Sequence, residues 1–168
     1  MINDPKSLIE AQQVPENCKL VLQKCDFGVE HFDLLPSHVC ELDISSNELK
    51  IDLLQLFEKL DRLPMLNILF ANRNNVKFNL QHLQDPSGVA PVFYRLKKLH
   101  LRNNSIQAWP SFIDKAENLT SLDLSFNELK QLHNNHTNEQ KQTPSNNNSS
   151  GGSFASKIFK SIFIFFFF

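Results

Sequence analysis

The chain predicts an α/β solenoid, a single coil of short parallel strands joined by helical or looping returns, and three observations carry that prediction. One aliphatic pattern recurs four times between Val39 and Leu129, an asparagine holds the same place in every copy, and the stretches between copies vary in length. A unit that cannot bury its own apolar face becomes stable only when stacked on neighbours, so a serial repeat dictates the architecture.

The copies are Val39 to Leu49, Leu66 to Val76, Leu96 to Ile106 and Leu119 to Leu129. Within each, positions 1, 4, 6 and 11 are apolar and position 9 is Asn47, Asn74, Asn104 or Asn127. A degenerate fifth copy precedes them, with Asn17 at position 1 and Leu20, Leu22, Cys25 and Phe27 at positions 4, 6, 9 and 11. The pattern resembles the leucine-rich-repeat family, whose unit L-x-x-L-x-L-x-x-N-x-L admits cysteine in the asparagine slot. That resemblance implies a short right-handed horseshoe, with a parallel sheet on its concave face and helices and loops on its convex face.

The spacing has a direct physical reading. Positions 3 to 5 predict a strand whose alternating side chains send the residues at 4 and 6 into the core. The chain then turns away and leaves backbone groups in a dry interior, where an asparagine amide both donates and accepts. Stacking therefore predicts a structural ladder of Asn47, Asn74, Asn104 and Asn127. From Cys25 onward its rungs are 22, 27, 30 and 23 residues apart, and only the returns can absorb that variation.

In one return Asp52 is placed to cap a helix carrying Leu53, Leu56, Phe57 and Leu60 on one face. The next contains Asp85-Pro86-Ser87-Gly88, a turn signal, and Pro110 and Ser111 open a shorter helical stretch, Phe112 to Glu117. The organisation expected is a lead-in over 1–16, repeats over 17–132, a disordered Asn/Ser-rich linker over 133–153 and a Phe-rich tail over 154–168. The tail is shorter than the roughly 20 apolar residues of a bilayer span, and Lys157 and Lys160 interrupt it. A peripheral membrane contact, an aggregation-prone end and a translated intron are the readings it leaves open. With no evident capping element after Leu132, the last strand is expected to leave an open edge and an exposed leucine layer, giving marginal stability unless a partner or the tail covers it.

Seventeen basic and eighteen acidic residues give a net charge of −1, which argues against nucleic acid or an anionic membrane as a partner held mainly by charge. Cys18, Cys25 and Cys40 lack Cys-x-x-Cys spacing and read as reduced thiols; with no secretory signal at the N-terminus, a cytoplasmic location is expected. On that reading the sequon Asn118-Leu119-Thr120 is a chance match. None of the four glycines belongs to a phosphate loop, and His133-x-x-His136 has no third ligand, so no enzyme, metal or cofactor is predicted.

The informative surface is the strand face pointing away from the core. Its central column reads Val21, Asp43, Phe70, His100, Asp123, and a neighbouring column reads Gln23, Ser45, Asn72, Arg102, Ser125. Arg73, Lys97, Lys98 and Arg102 make the middle basic, Glu41, Asp43 and Asp123 make the flanks acidic, and Phe70 and Phe126 are aromatic. Exposed aromatics among charges on a rigid sheet have the composition of an interface hot spot. The residues expected to meet a protein partner are Asp43, Phe70, Arg73, Lys98, His100, Arg102, Asp123 and Phe126.

The order of the units also resembles the repeat segment of the tubulin-folding cofactor E family over roughly residues 17–132. The features are Leu22 to Cys25, then Leu42 to Leu49, a long helix, Asn74 to Phe78, a loop, and Ser105 to Trp109. This resemblance implies a cytosolic factor acting in α/β-tubulin dimer assembly, with α-tubulin or other tubulin cofactors as partners. The chain departs from that family in lacking its glycine-rich module and its ubiquitin-like domain. A general adaptor for a protein phosphatase or a small GTPase is the alternative.

Overall fold

A computed structural model describes residues 4–12, 18–79, 89–108 and 111–129. The linker and tail expected over 133–153 and 154–168, the Asp85 to Gly88 turn, Trp109, and the His133/His136 pair all lie outside the described residues.

A short helix, α1 (Pro5–Gln12), is followed by strand β1 (Lys19–Val21), a 3₁₀ helix (Val29–Leu34) and β2 (Glu41–Asp43). Helix α2 (Leu53–Leu60), β3 (Ile68–Phe70) and β4 (Lys77–Phe78) come next, then α3 (Val92–Arg95), β5 (Lys98–His100) and β6 (Ser105–Ile106). A second 3₁₀ helix (Ser111–Lys115) leads to β7 (Ser121–Asp123). Strands β1, β2, β3, β5 and β7 form one sheet in that order, and every pairing is parallel. Each occupies positions 3 to 5 of its repeat. Parallel neighbours need a long crossover, and the helical returns supply it.

Register follows the repeat residue by residue. Leu20, Leu42, Leu69, Leu99 and Leu122 stand side by side across the sheet, each at most 1% exposed. The core also holds an aromatic cluster. Phe57 meets Phe93 at 5.2 Å, and Phe112 lies 4.9 Å from Phe93 and 5.7 Å from Phe78 between ring centroids. Strands β4 and β6 add a parallel pair after the turn (Lys77↔Ser105, Phe78↔Ile106). The Asp52 carboxylate accepts from the Leu54 amide at 2.9 Å, capping α2, while Asp61 Oδ1 accepts from the Val92 amide at the start of α3.

The asparagines of position 9 bind two repeats at once. Asn47 Oδ1 accepts from the Cys25 and Phe27 amides (2.9 and 3.2 Å), and its Nδ2 donates to the Leu22 and Ile44 carbonyls (2.6 and 2.8 Å). Asn74 accepts from the Asn47 and Leu49 amides and donates to the Ile44 carbonyl. Asn104 accepts from Val76 and donates to the Ala71 and Leu101 carbonyls, and Asn127 accepts from Ile106 and donates to Leu101 and Leu124. The first rung, Cys25, donates its thiol only to the carbonyl of Leu22. Among the described residues no earlier repeat stands before it, so one weak donor suffices there.

Two features depart from the sequence expectations. Cys18 and Cys40 are joined by a disulfide with Cα atoms 5.3 Å apart, so only Cys25 is a free thiol among the described residues. Both paired cysteines hold position 2 of adjacent repeats, and the in-phase register (Lys19↔Glu41) brings them together. The bond removes the reduced-thiol argument for a cytoplasmic location. Next, the leucine layer of the last described repeat is not bare. Leu119, Leu122 and Leu124 are 5%, 1% and 2% exposed and share one core with Ile113 and Ala116. The lead-in contributes helix α1 (Pro5–Gln12). Ile9 is buried, and the Gln12 side chain donates to the Val21 carbonyl (2.7 Å) and accepts from the Val21 amide (3.1 Å). That amide occupies the outer edge of β1 as a neighbouring strand would, satisfying backbone groups that an edge leaves open.

Candidate functional site

The outward side of the sheet is set by strand alternation, since the residues flanking each buried leucine must face the other way. The central row runs Val21, Asp43, Phe70, His100, Asp123 in direct register. At roughly 4.8 Å per strand step, the structure places Phe70 and His100 in contact and keeps Asp43 and Asp123 three steps apart. The Phe70 and His100 rings meet edge to face, with centroids 4.9 Å apart. Such a pair prefers this geometry because the ring edge is positive and the ring face negative.

His100 Nε2 also lies 2.9 Å from Ser121 Oγ. Burial holds the imidazole below the usual histidine range; Asp123 pulls the other way and Lys98 reinforces the shift. Ser, His and Asp thus gather on two strands, but the Asp123 Oδ1 atom is occupied by Ser125, accepting from its amide (2.9 Å) and hydroxyl (2.6 Å). Ser121 serves here to orient the ring. Sequence reading missed Ser121, although its place at position 3 beside Lys98 was available from the register.

The acidic flanks are internally engaged. Asp43 accepts from the Ser45 amide and from the Gln23 side chain, and Glu41 pairs with Lys19 at 2.7 Å. On the basic side, the Arg102 guanidinium lies 4.3 Å from the centre of the Phe126 ring, a cation–π contact. Phe126 remains 48% exposed. Along the column of position 7, Asn72 Oδ1 accepts from the Arg102 amide of the following repeat at 2.9 Å.

Arg73 and Phe126 owe their placement to backbone geometry. Position 8 is left-handed in all five repeats, at Lys24 (φ 53°), Ser46 (61°), Arg73 (52°), Asn103 (56°) and Phe126 (56°). This turn swings the following residue inward to its ladder position. Left-handed φ costs a non-glycine residue about 1–2 kcal/mol, offset here by the hydrogen bonds of the ladder. Because no glycine marks the position, nothing in residue type signals it.

Among the described residues no group of His, Cys, Asp and Glu is arranged to hold a metal ion, and no helix is long and apolar enough to cross a membrane. Asn118 of the sequon is exposed, and its Nδ2 donates to the Tyr94 carbonyl at 2.7 Å.

No curated protein matches the sequence. A family model described as Leucine Rich repeat matches residues 115–130, which contain β7 and the Asn127 rung. With the parallel, in-phase sheet, this match supports a leucine-rich-repeat type of fold and, in general terms, an interaction module for proteins.

Proposed function

We propose that the chain binds another protein through the outer face of its sheet and catalyses nothing. In this reading residues 17–132 form a short right-handed horseshoe whose sheet lines the concave side. The observation that carries it is the Phe70–His100 ring pair, fixed on adjacent strands and bordered by Arg102 stacked on Phe126. Aromatic and arginine side chains on a rigid surface are the groups that dominate interface energetics. They lose little conformational freedom on binding, because neighbouring contacts already hold them. Asp43, Arg73, Lys98 and Asp123 border the same surface and would set orientation more than affinity.

Within that reading, the order of the repeat units supports a tubulin-folding cofactor E-like factor acting in dimer assembly. Such a role is cytoplasmic, and the Cys18–Cys40 disulfide stands against that compartment, where thiols are kept reduced. Thiol trapping on protein taken directly from cells decides the point: both cysteines reduced supports a cytoplasmic factor, and a retained bond excludes one. The partner reading is tested by placing a photo-crosslinking amino acid at Phe70 and, separately, at Lys59, an exposed residue of α2. Adducts with a defined protein from position 70 and none from position 59 are expected; the reverse would overturn the assignment. Probing those adducts for α-tubulin separates the tubulin reading from a phosphatase or GTPase adaptor.

A further inference from the structure

We infer that the centre of the outer face, where β3 and β5 meet, takes an acidic peptide segment that carries an apolar side chain. The inference rests on the protein-binding reading above and specifies its partner's chemistry.

Four cations lie within two adjacent repeats: Arg73, Lys97, Lys98 and Arg102 are all exposed, and among the described residues none has an ion-pair partner. Arg73 and Arg102 are also backbone neighbours, the Arg73 amide donating to the Arg102 carbonyl at 2.8 Å. Like charges set opposite one another across strands are unfavourable. The carboxylates that might neutralise them are engaged elsewhere, Glu41 by Lys19, Asp43 by Gln23 and Ser45, and Asp123 by Ser125. The chain as a whole is nearly neutral, at −1, so this excess of positive charge is local.

The patch is also apolar at its centre. Ile68 and Phe70 are only partly buried, one on each side of buried Leu69, and Phe70 is backed by His100. An anion that satisfied the cations would bring its neighbouring side chain against these two. The flanks limit its length: in the central row Asp43 and Asp123 stand on either side of the Phe70–His100 pair and repel a long polyanion lying across the strands. A nucleic-acid backbone, with charge at every step, would meet them. A short acidic stretch with one aliphatic or aromatic residue fits the charges and the apolar centre together.

The test is selection of random displayed peptides on the immobilised full chain. Enriched sequences are synthesised, and their affinity is measured by fluorescence anisotropy at low and high salt. The targets are the native chain, the R73E/K98E double variant and Phe70→Ala; all three residues lie on the outer face, and a circular-dichroism melt checks folding. The expected result is enrichment of peptides with an excess of Asp and Glu around an apolar residue. Their affinity should fall with salt and drop by about tenfold or more on charge reversal. Enrichment of neutral or basic peptides, no enrichment, or affinity indifferent to charge reversal overturns the inference. An oligonucleotide that competes as strongly as the peptides overturns it too. Binding lost in Phe70→Ala yet unchanged in the charge-reversed variant would leave the protein-binding face standing and remove only the acidic partner.

Discussion

Replacing Asn104 with alanine isolates the interaction that holds successive repeats together. The side chain is 7% exposed, accepts from the Val76 amide at 3.0 Å, and donates to the Ala71 and Leu101 carbonyls at 3.0 and 2.9 Å. Leu101 keeps a second donor, the Asn127 amide at 2.8 Å, so its carbonyl stays satisfied after the change. The Val76 N–H and the Ala71 carbonyl lose the side-chain partner they have. A buried polar group left unpaired costs about 1–3 kcal/mol, so two give about 4 kcal/mol, a large fraction of the roughly 5–15 kcal/mol that keeps a domain folded. Urea titration followed by circular dichroism measures the loss as a fall in midpoint at constant slope. Asn67→Ala is the control, because that half-buried side chain makes a local, solvent-exposed bond to the Met65 carbonyl; its cost should stay below about 1 kcal/mol. A loss for Asn104→Ala no greater than that of the control would refute the reasoning.

Three further outcomes follow from the same structure. Reducing the Cys18–Cys40 bond, which spans 22 residues, should lower stability by about 3 kcal/mol and the melting temperature by about 10 °C or more, with C18S/C40S melting alike with or without reductant. Because burial lowers the His100 pKa, its contribution is fully present above the unfolded value of about 6.5 and is lost as pH falls below it; stability measured on both sides of that value should show an acid-side loss that His100→Gln diminishes. At Arg73, where φ is 52°, substitution by glycine should be neutral or stabilising, and substitution by valine should lower stability in denaturant titration, because a β-branched residue tolerates this region less well than arginine does.

The strands were legible because aliphatic spacing fixes both period and facing. Leucines at positions 4 and 6 of each copy determine where positions 3 to 5 lie and which neighbours point outward. The Asp52-capped helix was legible for a similar reason, its cap and apolar face being local in sequence. What escaped depended on pairs that no period marks. Gln12 reaches the edge of β1 from nine residues upstream, and a single glutamine in a polar lead-in carries no signal. The disulfide did carry one: Cys18 and Cys40 share position 2 and are separated by 22 residues, the same distance as Cys25 from Asn47. At the candidate site, alternation gave the identity of the outer row. It did not give the engagement of Asp43, Glu41 and Asp123 by their own neighbours, or the stacking of Arg102 on Phe126, which depend on rotamers.

The ladder and the outer face both depend on the repeats forming one continuous stack, and hydrogen exchange in increasing denaturant tests that most directly. The amides of Ile44, Ala71 and Leu101 each donate to the next strand, to Phe70, His100 and Asp123 respectively. If the stack is continuous, these three exchange with a common free energy that approaches global unfolding and fall together in Asn104→Ala. Independent exchange, with Ile44 still protected while Leu101 opens freely in the native chain, would contradict it.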